Sequence, residues 1–366
     1  MWVGSPILWL ACRRHIAELH IGAAVKHEMG VTKDPGMLLF RRLRDQWYSL
    51  DIDYSDLVLM DINSLNPALQ DKAKSVLAWA KEVLAQKTFP RDDYRELAEL
   101  IVISLGGKVE GFTFKLPGPD HHARWMSKCI YILKIRLLGN VFQLVEEEKK
   151  QVDNLAEFIL LLYGKYWFET PLAAAATRTD LNFMSGVLEY RVVNSSLAYK
   201  VLASCYRHLW YLTPQMVTLA LADRDLEDET KEEMARTLYS LERTNIKSGK
   251  PIFPLLPYGA TVTRKNMASL VGVDSWLILD LLHLTERQDW LLAPASTWRT
   301  EPNFLSLEQF AQNLVVVNDL CERGIHLASD FINRVESDVQ REALFQVVED
   351  FRGRVKSCSK ESLKLV

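Results

Sequence analysis

Long apolar runs are missing from this 366-residue chain, and so is a surplus of either charge. No stretch reaches the roughly 18 apolar residues that a membrane-spanning helix needs, so a membrane partner is not expected. The 44 basic and 47 acidic residues leave a net charge of -3. That balance supplies no global attraction to nucleic acid or an anionic membrane. Cysteine is scarce, with five residues and no framework spacing. A disulfide scaffold is thereby excluded, and reduced thiols in an intracellular setting are expected. There is no Walker loop, Rossmann fingerprint, His-Glu-x-x-His or Gly-x-Ser-x-Gly, which removes the chemistries those motifs carry. Internal repeats are absent too.

What is present is ordinary core-forming material, 48% hydrophobic and 25% charged. The length suits two or three domains. Apolar residues recur at helical spacing over most of the chain, and the fold class reads as mainly α. A short apolar start, Ile7 to Cys12, reads as a buried strand feeding a helix over 13–28. It lacks a polar lead-in, so loss of a natural N-terminal part is expected. Asn66-Pro67 and Phe89-Pro90-Arg91 open helices, and Gly106-Gly107 closes the second. A stripe of Met126, Ile130, Leu133 and Leu137 predicts a helix after the Pro117-Gly118-Pro119-Asp120 turn. Further helices are predicted over 146–168, 171–193, 195–210, 228–247, 264–272, 304–334 and 336–355. The Pro-rich stretch 248–259 reads as an exposed loop or a seam.

Several constellations carry chemistry on paper. Asp319 and Glu322 lie one turn apart on the predicted 304–334 helix, with Arg323 and His326 as i,i+4 partners. A helical Glu can complete a metal-binding carboxylate cluster, and an ordinary ion pair looks the same. Cys12-x-x-His15 and Cys205-x-x-His208 would together make a Cys2His2 zinc set. A core cysteine and a hydrogen-bonded histidine explain each half equally simply. His121 and His122 follow Asp120 at a helix start, where a metal or a phosphate could bind. First-turn polar residues ahead of Trp125 are the plainer account. Asp223-Arg224-Asp225 with Glu227-Asp228-Glu229 lacks the glycine and ligand spacing of a calcium loop and reads as a solvated helix start.

Three blocks, Leu8 to Glu18, Pro117 to Met126 and Asn318 to Gly324, together resemble a group of uncharacterised, transposon-derived animal proteins. That group in turn resembles hAT-type DNA transposases. The resemblance implies a ribonuclease-H-like catalytic core interrupted by a large helical insertion. It implies three pieces: 1–60 as the N-terminal part of the core, 61–300 as the all-helical insertion, and 301–366 as C-terminal helices completing the core. In such enzymes two aspartates and a late glutamate hold Mg or Mn, which activates water or a 3′-hydroxyl. Cys12 and His15 match the family's Cys-x-x-His motif, and Glu322-Arg323 matches its glutamate context. His121, His122, Arg124, Trp125, Asp319 and Gly324 belong to the matching blocks. The two aspartates would lie upstream of Met1, so Glu322 alone assembles no site, and any metal at Glu322 would require them to be supplied.

The expectation is therefore a catalytically incomplete, transposase-derived protein without a cofactor of its own, intracellular or nuclear. DNA is a possible partner under the resemblance, through weak and salt-sensitive contacts by Arg41, Arg42, Arg44, Arg124 and Lys128. A non-enzymatic helical interaction or scaffold protein is the alternative, and a metal enzyme built on His121 and His122 is the third.

Overall fold

Asn66 and Pro67 start a helix for separable reasons. The Asn66 side chain accepts a hydrogen bond from Leu69 N at 3.1 Å, and Pro67 supplies a preset φ where no N–H is needed. Asn194 does the same for a later helix through Leu197 N at 3.0 Å. Gly106 sits at φ +78°, and Gly106 N and Gly107 N bond back to Ile103 O and Val102 O, each at 2.8 Å. That left-handed turn is the stop the Gly-Gly pair predicts.

The computed structural model describes residues 8–30, 37–86, 89–118, 126–208, 210–241, 264–284 and 288–318. The chain divides into two units, Met1–Asn318 and Asp319–Val366, and the second lies outside the described residues. The α-helices of the first are α1 Arg13–Met29, α2 Leu38–Gln46, α3 Pro67–Ala85, α4 Asp92–Ser104, α5 Ser127–Leu137, α6 Glu146–Phe158, α7 Gly164–Glu169, α8 Ala176–Tyr190, α9 Ser195–Arg207, α10 Pro214–Val217, α11 Asp228–Ser240, α12 Trp276–Leu281 and α13 Pro302–Asn313. A π-helical turn, Ile159–Tyr163, joins α6 to α7. Among the described residues between α10 and α13, five short 3-10 turns accompany α11 and α12: Thr218–Ala222, Arg264–Leu270, Val273–Ser275, Asp289–Leu292 and Ala295–Thr300.

The mainly α expectation holds, and none of the described residues forms a strand. The N-terminal strand is a correction. Residues 8–12 pair with no neighbouring strand. Their polar groups are met singly: Tyr211 Oη donates to Ala11 O at 2.6 Å. No transmembrane-length apolar helix occurs among the described residues.

A second correction falls late in the chain. The helix predicted over 304–334 stops at Asn313, and Leu314 is extended (φ -70°, ψ 116°). Val315, Val316 and Val317 follow, and a β-branched run loses side-chain freedom in a helix. The predicted helix is therefore absent over 314–318.

Packing is helix on helix. α1 lies against α9, α6 and α7, while α3, α4, α5 and α6 pack as successive neighbours. Aromatics fill the centre: Tyr166 stacks on Phe183 at 4.2 Å, and Tyr94 meets Trp167 edge-on at 4.7 Å. Pairs of this kind add about 0.5–1.5 kcal/mol beyond their burial.

Candidate functional site

The Cys12-x-x-His15 turn is the start of α1, and every residue around it has a separate partner. Cys12 occupies the N-cap position without capping the helix through its side chain. Its Sγ instead accepts from Asn318 N at 3.2 Å. Arg13 N donates to Val316 O at 2.9 Å. The turn is thus stitched to 316–318, the segment immediately before Asp319.

Arg13 and Arg14 point inward. Arg13 is 1% exposed. Its Nη1 donates to Thr170 O at 3.0 Å, and its Nη2 donates to Thr179 Oγ1 at 2.8 Å and Asp180 Oδ1 at 2.5 Å. Burial opposes the charge, but the Asp180 carboxylate and its hydrogen bond prevail and hold the guanidinium above its ordinary value. Arg14 Nη1 donates to Tyr94 Oη at 2.7 Å. Its guanidinium lies 4.7 Å from the Tyr94 ring centroid and 5.0 Å from that of Trp167, a desolvated cation–π sandwich.

Nearly two turns further along α1, His20 is buried. Its Nδ1 lies 2.9 Å from Ser204 Oγ, which bonds to Leu19 O at 3.3 Å. With the hydroxyl donating to that carbonyl, Nδ1 carries the proton. Desolvation, reinforced by His208, pushes His20 down to about 3. His208 is also lowered, first by burial and then by Arg207 and His15. A cavity of about 10 Å³ separates His20 from Tyr166, Asp180, Cys205 and His208. That is space for about one water. Ser204 with His20 has the spacing of a nucleophile and base, but both are buried and the hydroxyl is spent on Leu19 O, so this is a structural clamp.

The two Cys-x-x-His halves approach one another through His15 and His208, yet they do not make the zinc set. Among the described residues no three His, Cys, Asp or Glu side chains are grouped to hold a metal ion. Burial pushes the Cys205 thiol up, away from the thiolate a metal would need. His121, His122, Arg124, Trp125, Asp319, Glu322, Arg323 and Gly324 lie outside the described residues.

Two further readings change. Asp223 is buried rather than solvated, and Arg178 grips both its oxygens at 2.5 and 3.1 Å. The basic cluster is also largely engaged within the chain. Arg42 forks onto Glu148 at 2.9 and 2.7 Å, Arg44 Nη1 donates to Tyr131 Oη at 3.1 Å, and Lys128 pairs with Glu18. The sequence reading missed the inward Arg13-Arg14 pair, although a doubled arginine directly after an apolar segment was the signal available. Comparison with protein-family models, curated proteins and solved structures returns no match.

Proposed function

We propose that this chain is a transposase-derived protein, a catalytically incomplete relative of metal-dependent DNA strand-transfer enzymes. One observation supports the reading. Cys12 and Arg13 bond to Asn318 and Val316, so the Cys-x-x-His turn meets the segment leading into Asp319 and Glu322. Two parts of an interrupted core should meet in that way around a helical insertion. On this reading Glu322 is a vestigial metal ligand, and Mg or Mn would bind only with two aspartates supplied from elsewhere. Cys12 and Arg13 hold the turn against 316–318. The test is the genomic frame upstream of Met1. An extended protein carrying two acidic strand residues should nick supercoiled DNA with Mn, and Glu322→Gln should remove that activity. Nicking indifferent to Glu322→Gln, or a frame without such residues, would end the proposal.

A second reading, a non-enzymatic helical scaffold, is favoured by the engagement of Arg42, Arg44 and Lys128 with Glu148, Tyr131 and Glu18. Side chains already held are poor phosphate contacts. Fluorescence anisotropy with duplex DNA separates the two. Binding that weakens steeply with added salt supports the first, and no binding at low salt supports the second.

A further inference from the structure

The first turns of α11, the 3-10 turn Ala295–Thr300 and α13 enclose a cleft of about 230 Å³. Lys231 lies on its wall and is only 8% exposed. Its nearest carboxylate oxygen, on Asp228, is 3.7 Å away. That is beyond hydrogen-bonding distance. The ammonium makes no hydrogen bond to another described residue. The Lys231 stem is buried while its ammonium opens to the cleft, where an oxygen of a bound anion can accept from it.

Arg299 and Arg224 stand at the same cleft. Arg299 has no ion-pair partner among the described residues. Arg224 is held only through Nε, by Glu308 at 3.0 Å, so its terminal amino groups remain available. The Ser296 hydroxyl also lines the cleft. Among the acids, Asp223 is gripped at both oxygens by Arg178, and Glu308 is taken by Arg224. Asp228 alone is loosely engaged. The cleft therefore holds more free donors than free acceptors.

We infer that this cleft is a binding site for a phosphate-type dianion, free or as a small monoester. Lys231 supplies a point charge from within, Arg224 and Arg299 supply planar N–H donors from the rim, and Ser296 adds a hydroxyl. Convergent donors of this kind match the several equivalent oxygens of a phosphate group. Trp298 and Phe304, with ring centroids 5.5 Å apart, line the apolar side. The volume is below that of pockets for drug-sized ligands, which excludes a dinucleotide and suits a small anion.

The site is independent of the transposase reading and can be tested on the full chain. Isothermal titration would use inorganic phosphate and, separately, glycerol phosphate, with sodium chloride at matched ionic strength as the control. Saturable phosphate binding is expected, weakened about tenfold in Arg299→Gln, an exposed position, and lost in Lys231→Met. Circular dichroism of both variants checks folding, and Arg299→Gln keeps the test valid if Lys231→Met unfolds. Tighter binding of glycerol phosphate assigns the site to an ester, and equal binding assigns it to the free anion. No saturable heat up to about 10 mM phosphate, an equal response to chloride, or unchanged affinity in Arg299→Gln would overturn the inference.

Discussion

Arg13 Nη2 and Asp180 Oδ1 meet at 2.5 Å although 167 residues separate them in the chain. The pair joins α1 to α8 within the core, with both residues buried. Removing one partner leaves the other charge buried and uncompensated. Arg13→Met should therefore cost about 3–5 kcal/mol in urea unfolding. The double variant Arg13→Met/Asp180→Leu should cost clearly less than the two single changes added together. Strict additivity would mean that the pair does not act as a unit.

His20 gives a pH dependence with a definite sign. Its value falls from 6.5 in the open chain to about 3 in the fold, through burial and then His208. Unfolding takes up a proton between those values. The His20 contribution is fully present above the upper value and is lost as pH falls through the window. The slope is up to about 1.4 kcal/mol per pH unit. His20→Gln, which does not titrate, should flatten the acid limb by about one proton. His208 and Asp180 face the same cavity and will leave a residual slope. Identical acid limbs for the parent and the variant would refute this assignment.

The adjacent glycines at the end of α4 should respond differently to substitution. Gly106 has φ +78° and open space around a would-be Cβ, whereas a Cβ on Gly107 would stand 2.6 Å from Val102 Cγ1 and 2.9 Å from Val102 O. Gly106→Ala should cost about 1–2 kcal/mol from backbone strain, and Gly106→Asn should cost less, since Asn tolerates that region. Gly107→Ala should cost about 1–3 kcal/mol from overpacking, with Asn no better. Thermal midpoints of the four variants decide it. Rescue by Asn at both positions would be the wrong outcome.

Thiol accessibility is also ordered. Cys12 is half-buried, while Cys129 and Cys205 are buried. Burial pushes both inner thiols up. Iodoacetamide should label Cys12 at least about tenfold faster than either under native conditions. Peptide mass spectrometry reads each cysteine separately. Equal rates at Cys12 and Cys129 would show that the α5 core opens readily.

Helix starts and stops were legible wherever local chemistry sets them. Asn66-Pro67 and Gly106-Gly107 act within a few residues of themselves, so the sequence shows them directly. Arg13, Arg14 and Asp223 were not legible as core residues. A charged side chain reads as surface until its partner is known, and Tyr94 and Asp180 stand 80 and 167 residues beyond their arginines. The end of α13 was misplaced because the helix predicted over 304–334 ran through the three consecutive valines, Val315, Val316 and Val317, that follow Leu314. The Lys231 cleft left no trace in the pattern, since Arg224, Lys231, Ser296 and Arg299 come together only in three dimensions.

α1 leaves the ribosome well before the residues that neutralise it. At about 5–20 residues per second, Asp180 is made roughly 10 to 30 seconds after Arg13, given the 167-residue interval. The segment leading into α1 waits longer still, because Asn318 follows Cys12 by 306 residues. During translation the first helix must therefore stay hydrated or in the hands of a chaperone, and a nascent chain arrested before α8 lacks the carboxylate that neutralises Arg13.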